Sequence, residues 1–176
     1  FFFDFIKKNQ NQAIKLYNKP INYLSSEMGE EELRMRLDLH EDMKIDDWEF
    51  DAFERGENFG QAIEPNGINI IDYLEINRDF PEIGDKIKEI HRRLERGIAL
   101  IGLQKNYGVE LGRGAAFSLQ RPRLYVTLEH GVARIICAKN RRPGVPNPVG
   151  QVLNYKLING WKIIPQGIWH DEYGGV

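Results

Sequence analysis

The sequence predicts an α/β fold: a mainly parallel sheet flanked by helices, followed by antiparallel C-terminal strands. Three observations carry that reading. Residues 68–74 and 98–103 are apolar runs of strand length with a helical stretch between them, and two strands joined through a helix run parallel. The runs are continuous rather than alternating, the pattern of a sheet covered on both faces. Beyond residue 124 the turn signals His130-Gly131, Pro143-Gly144 and Asn159-Gly160 crowd together, leaving room for hairpins but not for helices.

The elements follow in order. Phe2, Phe5, Ile6, Ala13 and Ile14 recur at helical spacing over residues 1–17, and Pro20 marks the exit. Residues 21–24 form a short strand. Gly29 opens a second helix with Glu30, Glu31 and Glu32 in its first turn, where the helix dipole favours acids. Leu33, Leu37 and His40 continue its apolar face. Over residues 41–66 acids alternate with Trp48, Phe50, Phe53 and Phe59 without a clean period. A strand near 48–53 and a loop or short helix at 57–64 are expected there. Residues 82–96 place Ile83, Ile87, Ile90 and Leu94 on one helical face, and Gly97 stands where a helix end favours a positive φ. The strands expected last are 124–128, 134–138, 152–158 and 161–164, extending the sheet.

Composition sets limits. The 176 residues are 41% apolar and 28% charged, with a net charge of −2, a globular balance that fits one domain. No apolar run approaches the roughly 20 residues that cross a bilayer, and the Phe-rich start lacks the basic stretch and small-residue cleavage site of a secretory signal. Cys137 is the only cysteine, which excludes an internal disulfide and a cysteine-rich zinc site and fits a cytoplasmic setting. His40, His91, His130 and His170 lack metal-ligand spacing, and Ser25 and Ser26 have no matching His and Asp for a hydrolase triad. Residues 27–57 are acid-rich and 113–142 base-rich.

Three strands end in a polar residue: 21–26 at Glu27, 68–71 at Asp72 and 98–103 at Gln104. Singly, each marks where a strand leaves the core. Together they are the equipment of nucleotide hydrolysis if the strands are neighbours, because ligands of an open parallel sheet sit beyond the carboxyl ends of its strands. One acid would hold Mg²⁺ through water, one would orient the attacking water, and the amide would sense the γ-phosphate.

The residues 23–28 (Tyr-Leu-Ser-Ser-Glu-Met) followed by Glu31-Glu32-Leu33-Arg34-Met35-Arg36, and Ile70-Ile71-Asp72-Tyr73-Leu74, resemble the RecA-like ATPase core of DnaB-type hexameric replicative helicases of phage or mobile-element kind. Residues 98–104 resemble that family's sensor strand, and Lys139-Asn140-Arg141 its late Lys-x-Arg element. The resemblance covers about 21–160 and implies roles. Glu27 is the catalytic base, Asp72 the Walker B carboxylate for Mg²⁺ and ATP, and Gln104 the γ-phosphate sensor. Lys139 and Arg141 act in trans across a hexameric homo-oligomer. Arg113 and Arg121 lie in or near a loop that tracks single-stranded DNA in the central channel. It implies one RecA-like ATPase domain over 1–165 and a tail over 166–176.

One element is missing. No G-x-x-x-x-G-K-[ST] occurs. In the family the phosphate-binding loop directly precedes the first helix, whose place residues 1–17 take. The sequence opens without Met inside that helix, so the loop is expected upstream of Phe1 and the chain alone is expected to hydrolyse ATP negligibly. Two alternatives stay open: a RecA-like recombination or regulatory ATPase that does not unwind, and a RecA-fold interaction domain without catalysis.

Overall fold

A computed structural model describes residues 1–75 and 80–172 of the chain. The N-terminal part is a parallel sheet of four strands, β1 (Ile21–Ser25), β2 (Phe50–Glu54), β3 (Ile68–Asp72) and β4 (Ile98–Ile101), in the spatial order β2-β1-β3-β4. Ser25 pairs with both Glu54 and Asp72, and Ile71 with Ile101, so the carboxyl ends of the strands form one rim. Three helices accompany the sheet: α1 (Phe2–Tyr17), α2 (Glu30–Asp38) and α3 (Phe80–Arg93).

The continuous apolar runs mean what they were expected to mean. Ile21, Tyr23, Ile68 and Ile70 face α1 and pack with its Ile6 and Ala13. Leu24 and Ile71 face the other way and pack with Ile83, Ile87 and Ile90 of α3. Ile70 and Ile71, adjacent in the chain, are both fully buried on opposite faces, and each such side chain contributes roughly 1.5–3 kcal/mol by leaving water. The first strands are therefore locked between two helical layers.

At the amino ends of the strands a buried amide pair replaces apolar packing. Asn69 is fully buried. Its Nδ2 donates to the carbonyls of Glu64 and Ile98 at 2.9 and 3.2 Å, and its Oδ1 accepts from Asn22 Nδ2 and the Glu64 amide, each at 2.8 Å. Asn22 also donates to the carbonyl of Ala62 at 2.7 Å. Every polar atom of the Asn69 side chain is thus satisfied, as burial requires. Gln10 of α1 anchors the approach to β2, donating to the Asp47 carbonyl at 2.8 Å and accepting from the Glu49 amide at 3.0 Å.

The C-terminal part holds the antiparallel strands β5 (Leu124–Glu129), β6 (Val132–Ala138), β7 (Gln151–Ile158) and β8 (Lys162–Pro165), in that spatial order, with the two-residue β9 (His170–Asp171) beside β7. Asn159 and Gly160 both have positive φ, as the Asn-Gly turn between β7 and β8 demands. The expected antiparallel strands are present, but they do not extend the first sheet. They form a separate one: the chain leaves β4 through residues 102–123 and, among the described residues, no later strand pairs with its edge. β9 lies in the stretch expected as a tail, where Glu172 also pairs with Arg134; residues 173–176 lie outside the described residues.

Gly97 corrects another expectation. Its φ is not positive. A Cβ there would stand 2.6 Å from the Gly67 carbonyl and 2.7 Å from the Pro65 carbonyl, so glycine is required by close approach of two backbones rather than by helix termination.

The two sheets meet through aromatic and polar contacts. Trp161, at the β7–β8 turn, packs at a tilt against His40 with ring centroids 4.3 Å apart, and His40 lies 5.1 Å from the Trp48 ring. The Ile163 amide of β8 donates to Asp4 of α1 at 3.4 Å.

Candidate functional site

The path of the chain creates a crevice at one place. From β1 it moves outward to β2, then crosses back over β1 to β3 and on to β4. The connections leaving β1 and β3 thus run in opposite directions, which makes their shared carboxyl end the topological switch point of the sheet, where α/β folds bind ligands. Asp72 ends β3 and Glu27 stands two residues beyond β1, so both predicted carboxylates flank that point.

Local hydrogen bonds fix them. The Ser26 amide donates to the Asp72 carbonyl at 3.1 Å, tying the strand ends together just before Glu27. Ser25 Oγ accepts from the Met28 amide at 2.8 Å, turning the chain back after Glu27. The Tyr23 hydroxyl, inside the sheet, donates to Asp72 Oδ2 at 2.5 Å. Burial and the neighbouring Asp72 carboxylate push the Tyr23 phenol far above its ordinary value, so it remains a donor. The Tyr73 hydroxyl donates to Glu27 and lies 3.4 Å from Glu75 Oε1. That bond to Glu27 is the first cause that raises the Tyr73 phenol to about 12. The Asp72–Tyr73 peptide is cis.

Gln104 is placed less directly than expected. β4 ends at Ile101, and the Leu74 amide bonds the Gly102 carbonyl at 2.9 Å. Gln104 follows three residues past the strand, on the same rim. Its carbonyl accepts from the Arg113 amide at 2.7 Å, so the loop that follows closes on the residue that opens it. Gly112 then donates to the Tyr125 hydroxyl at 3.0 Å, which also lies 3.3 Å from Ser118 Oγ. Buried Tyr125 thereby joins the rim loop to β5.

The basic candidates lie farther along. Arg113 and Arg121 are exposed and make no ion pair among the described residues. Lys139 is engaged within the chain: Nζ donates to the carbonyls of Leu119 and Gln120 at 2.8 and 3.1 Å, holding the end of the 3-10 turn Ala115–Leu119. Arg141, two residues on, is exposed. Thus Glu27 and Asp72 meet at the ends of β1 and β3, Gln104 follows the end of the neighbouring β4, and Lys139 and Arg141 stand at the end of the β5–β6 hairpin.

Sequence reasoning missed Tyr23 and Tyr73. The Asp-Tyr pair was visible, but not that each carboxylate has a tyrosine partner. Among the described residues no group of three or more His, Cys, Asp or Glu side chains is disposed to hold a metal. Nor do Glu27, Asp72 or Gln104 line either of two surface clefts, one between residues 56–60 and α3 and the other on the antiparallel sheet. Also among the described residues, no helix is long and apolar enough to cross a membrane. Compared with protein-family models, curated proteins and solved structures, the chain matches none.

Proposed function

We propose that this chain carries most of a RecA-like ATPase core of the DnaB-type helicase kind, a cytoplasmic motor that hydrolyses ATP to move along single-stranded DNA. The observation that carries the reading is the switch point between β1 and β3, with Glu27 on one side and Asp72 on the other. A parallel sheet that presents a glutamate, an aspartate and an amide along this part of its rim is suited to hydrolysing a phosphoanhydride.

On this reading Glu27 accepts the proton of the attacking water, and Tyr73 holds the carboxylate in place until the substrate arrives. Asp72 would hold Mg²⁺ through water, a role one carboxylate can fill because Mg²⁺ keeps most of its water shell and needs one or two carboxylates besides the phosphates. Tyr23 occupies one oxygen of Asp72 and sets its orientation. The ion, when bound, neutralises charge on the terminal phosphates. Gln104 touches the γ-phosphate and passes its state to the loop closed by Arg113. Arg141 reaches the nucleotide of a neighbouring subunit in a hexameric ring, while Lys139 braces the turn behind it.

The phosphate-binding loop is the component the reading still requires, and β4 has a free edge on the side away from β3 among the described strands. A strand carrying the loop would pair there, bringing it beside Gln104. A second reading, a RecA-fold interaction domain without catalysis, is favoured by the absence of G-x-x-x-x-G-K-[ST] from the 176 residues. The test separates them. The chain extended upstream in its reading frame through a strand and such a loop should hydrolyse Mg-ATP, while E27Q and D72N should each abolish turnover with nucleotide binding retained. An upstream frame without the loop, or turnover that survives E27Q, sinks the motor reading. Strand displacement by the active protein then distinguishes a helicase from a recombination or regulatory ATPase.

A further inference from the structure

The net charge of −2 conceals a division. Residues 1–110 hold 15 Lys and Arg against 23 Asp and Glu, an excess of eight negative charges. Residues 111–172 hold nine Lys and Arg against three acids, Glu129, Asp171 and Glu172, an excess of six positive charges. The acidic half is the parallel sheet with its helices, and the basic half is chiefly the antiparallel sheet. A field of this kind acts on partners over distance even when the sum is near zero.

Within the basic half the register concentrates charge at one end. Leu124 opposes Ala138, and the Lys139 amide donates to the Arg123 carbonyl at 2.7 Å. Arg123 at the entry to β5 therefore lies beside Lys139 at the exit of β6, with Arg121 just before the one and Arg141 and Arg142 just after the other in the chain. Glu129 stands at the opposite end of the hairpin, already paired with Lys105. Arg121, Arg123 and Arg142 are all exposed and, among the described residues, have no carboxylate partner. Clustered unpaired guanidinium groups repel one another and are relieved by a polyanion, and their planar forks match phosphate oxygens in pairs.

An aromatic ring sits at the same foot. Lys139 grips the Leu119 and Gln120 carbonyls, which fixes the 3-10 turn that carries Phe117. That turn packs on α3, where both the carbonyl and the Cβ of Phe117 lie against Gly84, and Phe117 as a whole is 41% exposed. An anchored backbone with an open ring, next to unpaired arginines, is the combination that binds single strands: phosphates to the cations, a base to the ring.

We propose that the foot of the β5–β6 hairpin is a single-strand nucleic-acid surface in which Arg121, Arg123 and Arg142 hold the phosphate backbone and Phe117 stacks a base. The proposal rests on the nucleic-acid half of the reading above and adds its surface, and it is independent of hydrolysis. It moves the contact from the loop beside Gln104 to the antiparallel sheet and leaves Lys139 the task of positioning Phe117. An anionic membrane could be drawn by the charge alone, but the open ring and the preponderance of arginine favour nucleic acid. The acidic half of a second copy is the remaining competitor.

The test uses the 176-residue chain without nucleotide, so its failure leaves the ATPase reading standing, and failure of the ATPase reading leaves this surface standing. Fluorescence anisotropy of a labelled oligothymidylate of about 16 nucleotides, the upper end of one module's site size, is followed as salt rises from about 50 to about 200 mM. R121Q/R123Q/R142Q should weaken binding and flatten the log–log salt slope by about 2, at roughly 0.7 for each phosphate that is no longer neutralised. F117A should weaken binding roughly five-fold or more with the slope unchanged, and R34Q/R36Q on α2 should alter neither. If the triple variant fails to melt cooperatively, the single substitutions serve, each flattening the slope by about 0.7. Binding unchanged in slope by the arginine variants overturns the proposal. So does capture by anionic phosphatidylserine vesicles with no oligonucleotide bound, and so does salt-sensitive dimerisation, seen by sedimentation, that the oligonucleotide does not disturb.

Discussion

Tyr73 and Glu27 are joined across the switch point by a hydrogen bond from phenol to carboxylate, so the residue after the β3 aspartate restrains the acid beyond β1. This gives the rim a spectroscopic handle. The bond raises the Tyr73 phenol from its ordinary value near 10 to about 12. In a difference titration of tyrosinate absorbance between the native chain and Y73F, the missing phenol should ionise near 12. E27Q should move that step down toward 10, because the carboxylate that favours the neutral phenol is gone. As to sign, a folded-state value raised above the unfolded one stabilises fully below pH 10, and that contribution disappears as pH climbs from about 10 to about 12. A Tyr73 step already at 10 in the native chain would show that the bond does not form in solution.

Tyr23 behaves differently because it is buried. Its ring packs against Phe3 and Phe50 at centroid separations of 5.5 and 5.9 Å, and its hydroxyl serves Asp72. Y23F keeps the ring and removes only the donor, leaving a partly buried carboxylate without it. The expected loss is about 1–3 kcal/mol in urea unfolding at neutral pH. In a D72N background most of that loss should disappear, because the two residues are then no longer a phenol and a carboxylate in one bond. A loss that persists there would point to packing around the ring instead of the bond.

The β-strands and helices of the first sheet were legible because burial on both faces writes itself as unbroken apolar runs, as at Ile70 and Ile71, and because α3 repeats Ile83, Ile87 and Ile90 at helical intervals. Glu27 and Asp72 were legible as strand ends. Their tyrosine partners were not, since a tyrosine inside an apolar strand reads as core, and only the pairing of Ser25 with Asp72 brings Tyr23 and Tyr73 to the acids. Gly97 was misread for a similar reason: close approach to the carbonyls of Pro65 and Gly67 joins segments about thirty residues apart. The separateness of the second sheet was hidden too, because alternation along β5 specifies faces and not which edge a strand joins.

Lys139 looked like a residue that acts on a neighbour, and its ammonium is committed at home. K139M should release the Leu119 and Gln120 carbonyls. Because the site is exposed, global stability should fall by no more than about 1 kcal/mol. The local effect should be larger: amide exchange at Phe117 and Gln120, whose backbone N–H groups close the turn, should accelerate while that of β3 stays fixed. Unchanged exchange in the turn would mean that the Lys139 ammonium is free to act elsewhere.

His40 ties the two halves of the molecule together, and it does so in its neutral form. The ring is 1% exposed, lies between Trp161 and Trp48, and its Nδ1 has no hydrogen-bond partner among the described residues. Burial lowers its pKa below the ordinary value, as Lys7 also does, while Asp4 and Asp42 pull the other way and lose. A lowered value means that the unfolded chain binds the proton first, so the stability carried by neutral His40 is present above about pH 6.5 and is lost as pH falls through the folded value. H40F preserves an aromatic ring between the tryptophans and removes the titration. In a W169F background, where both remaining tryptophans touch His40, acid should weaken the native chain and shift its tryptophan emission below about pH 6.5, ahead of the loss of far-ultraviolet signal from the helices. H40F should hold both signals over the same range. Equal acid sensitivity in the two proteins would mean that the halves separate for a reason unconnected with this ring.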